Sequence, residues 1–289
     1  MAARNSGGGD PARGLALLWR AREPQPAGRS SLTADRIVHA AIAIADTEGL
    51  AALSMRRVAE SLGVGTMSLY TYVPGKSELT DAMLDTVYGE ALDDAPETAQ
   101  AQDGHDAPET AQAQHGHDAG GVSGTPGDGD GWRSRLERIA RGNRALHLRH
   151  PWMVQVATGR PVLGPNETAK YDRELRAVDG IGLTEVEMDS VIGLITGYVH
   201  GAVRGEVESA RAERQSGVSD AEWWSARAPV LSHLMDPGRY PTAARVGRAA
   251  AERHGAAHDP DHDFEFGLQR VLDGIDAFIR GRTGTDPGA

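Results

Sequence analysis

Apolar residues recur at helical spacing in one segment after another of this 289-residue chain. Ile37, Ala41, Ile44 and Ala45 are typical. They lie three or four positions apart, and such residues share one face of a helix. No convincing stretch alternates apolar and polar residues, which is the pattern of a β-strand. The sequence therefore predicts an all-α protein.

Capping residues divide the first third of the chain into short helices. Thr33 and Ser54 are suitable N-caps, and Gly49 and Gly63 are suitable at the ends of the same two helices. A third short helix is predicted over about 65–72, and a fourth follows it. This spacing predicts a small N-terminal helical domain.

A 12-residue sequence is duplicated in the middle of the chain. DAPETAQAQDGH is followed directly by DAPETAQAQHGH, and the copies differ at one position. The apolar residues of each copy are Ala and a single Pro, so neither copy provides the apolar skeleton on which stacked repeats depend. Together with the Gly- and Asp-rich residues that follow, the duplication predicts a disordered acidic insert over 94–131.

The insert separates the N-terminal domain from a larger C-terminal one. We expect a disordered basic arm over 1–31, a helix-turn-helix domain over 32–80, a connecting helix over 81–93 and a C-terminal helical domain over 132–282. Helices of the C-terminal domain are predicted over about 132–149, 166–180, 184–212, 219–235, 241–253 and 263–280.

Charge is distributed unevenly along the chain. The net charge is −11, but residues 94–130 hold eight acids and no Lys or Arg, whereas residues 1–76 hold nine basic residues against six acids. The N-terminal quarter is therefore mildly basic, as suits a nucleic-acid partner. Without cysteine, a signal-peptide core or an apolar run of membrane length, the chain is expected to be cytoplasmic and without membrane contact.

Residues 54–72 have the pattern of a helix-turn-helix. Gly63 permits the tight turn, while Val64 and Leu69 are expected to face inward. Arg56 and Arg57 lie one turn into the supporting helix. The second helix would present small or flat groups to base edges and phosphates, namely Thr66, Met67, Ser68, Thr71 and Tyr72.

The run LTADRIVHAAIAIADTEGLAALSMRRVAESLGVGTMSLYTYVPGKSEL closely resembles the DNA-binding domain of the tetracycline-repressor (TetR) family of bacterial regulators. The C-terminal part is similar to the effector and dimer domain of that family. The resemblance implies base contacts by Arg56, Thr66 and Met67, and mainly phosphate contacts by Ser68, Tyr70, Thr71, Tyr72 and Lys76. Two alternatives stay open, since Tyr70 can be a core residue and Lys76 a solvated one.

Glycines recur every fourth residue in the segment 184–211, at Gly193, Gly197, Gly201 and Gly205. Each costs a helix roughly 1 kcal/mol relative to Ala, so a compensating contact is expected. Close packing by another helix is favoured over a wall facing a ligand. In the family that the chain resembles, two helices per subunit form a four-helix dimer interface. The segments 184–211 and 263–280 are the candidates for a homodimer.

Amphipathic side chains of the C-terminal domain are candidates for a pocket that binds a small-molecule effector. Taken singly, each of them is more often a packed core residue than a ligand contact. They are His147, Trp152, Met153, Tyr198, His200, Trp223 and Trp224.

No catalytic constellation, cofactor motif or convincing metal site is predicted. His105, His115 and His117 lie in the acidic insert, where pre-oriented ligands are not expected. The favoured hypothesis is a ligand-responsive transcriptional repressor that binds a palindromic double-stranded DNA operator as a homodimer. The alternative is an all-α protein–protein interaction module with a vestigial helix-turn-helix.

Overall fold

The computed structural model describes residues 11–20, 32–93, 131–156, 160–256 and 258–283. These residues form eleven α-helices and a short 3₁₀ helix, with no strand among them, so the all-α prediction is confirmed for this part of the chain. The α-helices are α1 Pro11–Arg20, α2 Ala34–Glu48, α3 Met55–Leu62, α4 Thr66–Tyr70, α5 Lys76–Asp93, α6 Trp132–Arg149, α7 Pro165–Arg176, α8 Glu185–Ser216, α9 Asp220–Leu234, α10 Pro241–His254 and α11 Pro260–Thr283; the 3₁₀ helix Pro151–Gln155 follows α6.

The N-terminal helices begin and end at the predicted caps. The Thr33 hydroxyl accepts from the backbone N–H of Arg36 at 3.2 Å, and the Ser54 hydroxyl accepts from that of Arg57 at 3.1 Å. Gly63 has φ 67° and ψ 31°, the left-handed conformation that a glycine adopts without steric cost. This residue therefore ends α3 and turns the chain toward α4.

Helix α1 lies inside the segment that was predicted to be a disordered arm, and that prediction is wrong for residues 11–20. Leu18 is 5% exposed within the N-terminal core, and Trp19 Nε1 donates to the carbonyl of Leu163 at 3.1 Å. The apolar run at residues 15–19 is therefore fixed by long-range packing. The rest of the arm and residues 94–130 of the insert lie outside the described residues.

Two hydrophobic cores organise the described part of the chain. The first joins buried side chains of α2, α3, α4 and α5, and it also includes Leu146, Trp152, Met153 and Val156 from the other side of the insert. The second joins α8 and α11 to the first half of α6. Helix α6 therefore contributes to both cores.

Helix α5 fastens the N-terminal core to α7. It runs without a break from Lys76 to Asp93, across the boundary predicted between residues 80 and 81. The carboxylate of Asp85, only 3% exposed, accepts from the backbone N–H groups of Asn166 and Glu167 at 3.0 and 2.9 Å. These donors belong to the first turn of α7, where helix N–H groups lack partners within their own helix.

Helices α9 and α10 have no buried residue among their described side chains. They expose large apolar groups instead, including Trp223, Val230 and Leu234. None of the described helices is long and apolar enough to cross a membrane.

Candidate nucleic-acid interface and effector region

Two buried side chains anchor helix α4 to the first core. Leu69 and Val73 are both 0% exposed, and the backbone N–H of Val73 donates to the carbonyl of Leu69 at 2.8 Å. Val64 packs against the same core. The inward orientation expected for Val64 and Leu69 is therefore what the structure shows. The opposite face of this short segment is free to meet a ligand.

That opposite face carries most of the side chains predicted to contact DNA. Met67 is 78% exposed, Tyr70 44% and Tyr72 41%, and Ser68 and Thr71 are also exposed. Thr66, the first residue of the helix, is half-buried. Tyr70 thus reaches the surface, which answers the open question whether it is a core residue. Contact of these residues with DNA stays a prediction.

The two arginines of α3 have different surroundings. The Arg56 side chain is 84% exposed, and its Nε lies 2.7 Å from the Glu60 carboxylate, whose hydrogen bond raises the pKa of the arginine. Arg57 instead binds the Glu48 carboxylate at 2.6 Å and so ties α3 to the end of α2. Arg56 is therefore the better placed of the two to reach DNA, since an exposed i,i+4 pair is weak.

Lys76 has a structural contact of its own. It is the first residue of α5, and its ammonium donates to the backbone carbonyl of Leu53 in the turn before α3. This bond fixes the start of α5 beside the helix-turn-helix. A phosphate contact by Lys76 stays a prediction, as the side chain is partly buried.

The side chains predicted to contact an effector do not form a single cluster. Trp152 and Met153 are each 1% exposed and belong to the first core, and Trp152 Nε1 donates to Asp46 at 2.8 Å. His147, Tyr198 and His200 are half-buried on α6 and α8. Trp223 and Trp224 lie on α9, outside both cores. Sequence patterns did not indicate the Trp152–Asp46 bond, because its partners lie 106 positions apart.

His147 and His200 face each other between α6 and α8. Their ring centroids are 5.9 Å apart, with the planes nearly perpendicular at 84°. His147 Nδ1 lies 2.8 Å from the carbonyl of Asn143, an acceptor to which an N–H can donate. Burial lowers the pKa of His147, which favours the neutral ring and leaves Nε2 as an acceptor.

An open cavity of about 500 Å³ lies beside the glycines of α8. Its lining includes Gly197, Gly201, Gly205, Tyr198 and Phe264. The Tyr198 hydroxyl donates to the carbonyl of Phe264 at 2.6 Å, which holds the tyrosine ring against the start of α11. Within the described ranges, no group of three or more acidic, His or Cys side chains could hold a metal ion.

Two family models match this chain. Residues 37–83 match the bacterial regulatory proteins of the tetR family, and residues 125–279 match the tetracyclin repressor-like C-terminal domain. The first match covers α2 to α4 and the start of α5, which carry the helix-turn-helix. The second covers α6 to α10 and most of α11.

Individual relatives agree with these matches. The HTH-type transcriptional repressor DrrR1 of Streptomyces coeruleorubidus is 43% identical over 281 residues, which cover 96% of this chain and 90% of the relative. An HTH-type transcriptional regulator of Saccharopolyspora erythraea is 28% identical, covering 78% of this chain and 81% of that protein.

Solved structures have the same fold. Apo ActR from Streptomyces coelicolor superposes with a TM-score of 0.61 at 24% identity, covering 88% of this chain and all of that one. ActR in complex with (S)-DNPA gives a TM-score of 0.60 at 25% identity, covering 86% and 98% of the two chains. With both family models and a 43% identical relative in agreement, this chain belongs to the TetR family of bacterial regulatory proteins.

Proposed function

We propose that this chain is a ligand-responsive transcriptional repressor that binds a palindromic operator as a homodimer. The main observation behind this proposal is the exposed face of α4. Leu69 and Val73 are buried on the opposite side, and Met67 and Thr71 are exposed to solvent. A rigid short helix with exposed hydroxyl and flat groups fits the major groove. The repressor role is supported by the name of DrrR1, which shares 43% identity with this chain.

The glycines of α8 support dimerisation. Gly193, Gly197, Gly201 and Gly205 are exposed, and, apart from the adjacent residues and backbone of α8 itself, a methyl group added to any of them would meet no described atom within 4 Å. Phe266 and Phe278 of α11 are also exposed, at 57% and 46%. A second copy could bring its own helix close to this surface. A two-fold dimer of this kind presents two copies of α4 to the two halves of a palindrome.

The proposed response to a small-molecule effector is based on features of the C-terminal domain. ActR, at 25% identity, has been solved in complex with the small molecule (S)-DNPA. Here the half-buried His147, Tyr198 and His200 are the remaining polar candidates for ligand contact. An effector releases the operator only when it binds the DNA-incompetent state more tightly than the competent one.

The proposal is tested by titrating the purified protein into labelled DNA from upstream of its own gene. The double variant Met67→Ala, Thr71→Ala removes two exposed side chains of α4 and should weaken binding on the order of 10-fold or more. The matched control Val246→Ala, Thr242→Ala removes the same kinds of side chain from α10, where both are exposed.

Wild-type and control proteins should bind alike, and more weakly as salt is raised, because phosphate contacts release counterions. Absence of binding at low salt would overturn the proposal. So would a complex indifferent to the α4 double variant, which is the result expected of an interaction module with a vestigial helix-turn-helix.

A further inference from the structure

Glu60 is the only acidic residue in the helix-turn-helix segment 54–76, which also contains three basic residues. Its side chain is 50% exposed and lies one turn after Arg56 on α3, where positions four apart share a face. A carboxylate on a surface that approaches phosphates opposes binding, because like charges repel. The presence of Glu60 is therefore best explained by what it does for its partner.

The bond between Glu60 and Arg56 contributes little to the fold. Both residues belong to α3, so the pair joins no second element, and the Arg56 side chain is 84% exposed. Exposed pairs of this spacing add little stability, because water screens them. Arg57 differs, since it binds Glu48 and so joins α3 to α2. The Arg56–Glu60 bond is thus available for a task other than holding the fold together.

The bond uses a single nitrogen of the guanidinium. Arg56 Nε lies 2.7 Å from Glu60 Oε1, and no described residue accepts from the four N–H groups of Nη1 and Nη2. A guanidinium can present its side edge, formed by Nε and one terminal nitrogen, or its end, formed by both terminal nitrogens. With Nε bound to Glu60, the end is the part left for another acceptor. Two N–H groups in this arrangement match O6 and N7 of guanine in the major groove.

We propose that Glu60 is the positioning residue of Arg56 and restricts it to the recognition of a guanine in each half-site. The acceptor oxygen of Glu60 holds Nε, and its charge opposes binding wherever Arg56 turns away to a phosphate. A penalty against wrong sites contributes to specificity as much as a favourable contact with the right one. The role of Glu60 rests on the proposed function, since it concerns how the same surface selects its operator.

The Arg56–Glu60 bond should strengthen when DNA binds. DNA displaces water from the exposed face of α3 and α4, and opposite charges attract more strongly as water is removed. Arg56 then has two alternatives, a base edge that it contacts while bonded to Glu60 and a phosphate that it reaches by leaving Glu60. The second alternative leaves the carboxylate unpaired beside the phosphates, and like charges brought together at an interface suppress binding.

The test measures affinity for a series of half-site substitutions. DNA from upstream of the protein's own gene is footprinted, each base pair of the protected site is exchanged in turn, and the full-length protein is titrated into each duplex. Wild type should lose about 10-fold or more when one G·C pair is replaced by A·T, because a bidentate contact is lost. Arg56→Ala should lack this preference, which identifies the base pair that Arg56 contacts.

Two variants of Glu60 separate its acceptor oxygen from its charge. Glu60→Ala removes both, so the preference at that base pair should fall to within about threefold, and affinity for unrelated DNA should rise. The freed Arg56 adds one phosphate contact, so the plot of log affinity against log salt concentration should steepen by about 0.9. Glu60→Gln keeps an oxygen for Nε–H, so it should retain the guanine preference and the wild-type slope while binding unrelated DNA more tightly.

The control variant is Asp172→Ala. It removes the same charge from another exposed pair four positions apart, with Arg176 of α7, and should bind every duplex like wild type. The midpoint of thermal unfolding of Glu60→Ala should stay within about 3 °C of wild type. A larger drop would show that Glu60 supports the fold, and it would overturn the positioning role.

The binding results distinguish the two claims. A Glu60→Ala protein that keeps the guanine preference and the salt dependence of wild type would overturn the role of Glu60 and leave the proposed function intact. An Arg56→Ala protein that keeps every base preference would do the same. A wild-type protein that binds none of this DNA at low salt would refute the proposed function, and the role of Glu60 with it.

Discussion

Two carboxylates join parts of this chain that are distant in sequence. Asp85 of α5 caps α7 across 81 and 82 positions, and Asp46 of α2 holds the 3₁₀ helix across 104 and 106. Capping residues close to their helices, such as Thr33 and Ser54, could be predicted, because the capped N–H follows within three positions. The bonds between distant residues could not be predicted from the sequence, since no local pattern indicates which donors a carboxylate will bind.

The cap that the Asp85 carboxylate forms on α7 is expected to stabilise the fold. Replacing Asp85 with Ala removes the acceptor of two part-buried N–H groups and should lower the free energy of unfolding by about 1–3 kcal/mol. Gly164→Ala should also destabilise, because a methyl group there would collide with the Asp85 carboxylate. The measurement is urea unfolding of each variant.

The double variant provides the control. With Asp85 already replaced by Ala, the two closest clashes of the Gly164 methyl group, with the carboxylate, are gone and only the close approach to the Cβ of residue 85, at 2.9 Å, remains, so the two losses should combine to less than their sum. Strict additivity would mean that the two residues do not meet as the structure places them.

We expect the stability of the fold to depend on pH through the ionisation of Asp81. Burial raises its pKa from 3.8 to about 6, with Glu78 and Glu167 adding to the shift, and its Oδ1 has no hydrogen-bond partner among the residues that the structure describes. The folded chain therefore binds more protons than the unfolded chain between those two values. The contribution of Asp81 to stability falls as pH rises from about 4 to 6 and stays low above that range.

Asp81→Asn removes this ionisation. It should raise the free energy of unfolding at pH 7 by about 1 kcal/mol or more, with little gain at pH 4. Thermal unfolding at the two pH values measures the difference. A variant that is less stable than wild type at pH 7 would contradict the assignment of a costly buried charge.

At the scale of elements, α8 presents its glycine row to solvent within a single chain. The sequence allowed two interpretations of these glycines. They could pack closely against another helix, or they could line a pocket for a ligand. The structure places Gly197, Gly201 and Gly205 beside an open cavity and gives them no packed neighbour on that side. A partner helix from a second copy would remove this exposed surface from water.

Gly201→Leu tests the dimer surface. Within one chain the new side chain has space, and leaving glycine favours the helix by roughly 1 kcal/mol, so the fold should not suffer. In a dimer packed on the glycine row, the same side chain should weaken association at least 10-fold, as measured by sedimentation equilibrium. Gly142→Leu on the exposed side of α6 is the matched control and should associate like wild type. Equal association of the two variants would exclude the row from the interface.

Most helices could be predicted from apolar spacing and capping residues, but α1 and the 3₁₀ helix could not. Helix α1 has few residues and a flanking sequence rich in Gly and Pro, which favours disorder when read locally. Its order comes from Leu18 in the first core and the bond from Trp19 to Leu163, both of them long-range. Isolated short helices are marginal in water, so such packing decides whether they form.

At the scale of the whole molecule, the acidic insert is predicted to be dispensable for folding. Apart from Pro96 and Pro108, residues 94–121 contain no apolar side chain larger than Ala, so we expect their deletion to remove no core. The deletion should change the free energy of unfolding by less than about 1 kcal/mol. Ten residues, 122–131, still connect α5 to α6. A large drop in the midpoint of thermal unfolding would show that the insert contributes to the folded structure.

The exposed face of the recognition helix could be predicted from the sequence, whereas the placement of Trp152 and Met153 could not. Periodicity places Leu69 inward and Met67 outward, because the two positions are 200° apart on a helix of 3.6 residues per turn. Trp152 and Met153 were candidates for a pocket, although each, taken singly, is more often a core residue. Only the approach of α2 and α5 from the other side of the insert decides that they fill the first core.

The central claim is that two copies of α4 read one operator together. A hydroxyl-radical footprint on DNA from upstream of the gene tests it most directly. Half-sites read by a two-fold dimer lie about 34–36 Å apart on one face of the duplex. We expect two symmetric protected patches about one helical turn apart, both lost in the Met67→Ala, Thr71→Ala variant. A single patch, or protection that survives in this variant, would contradict the account.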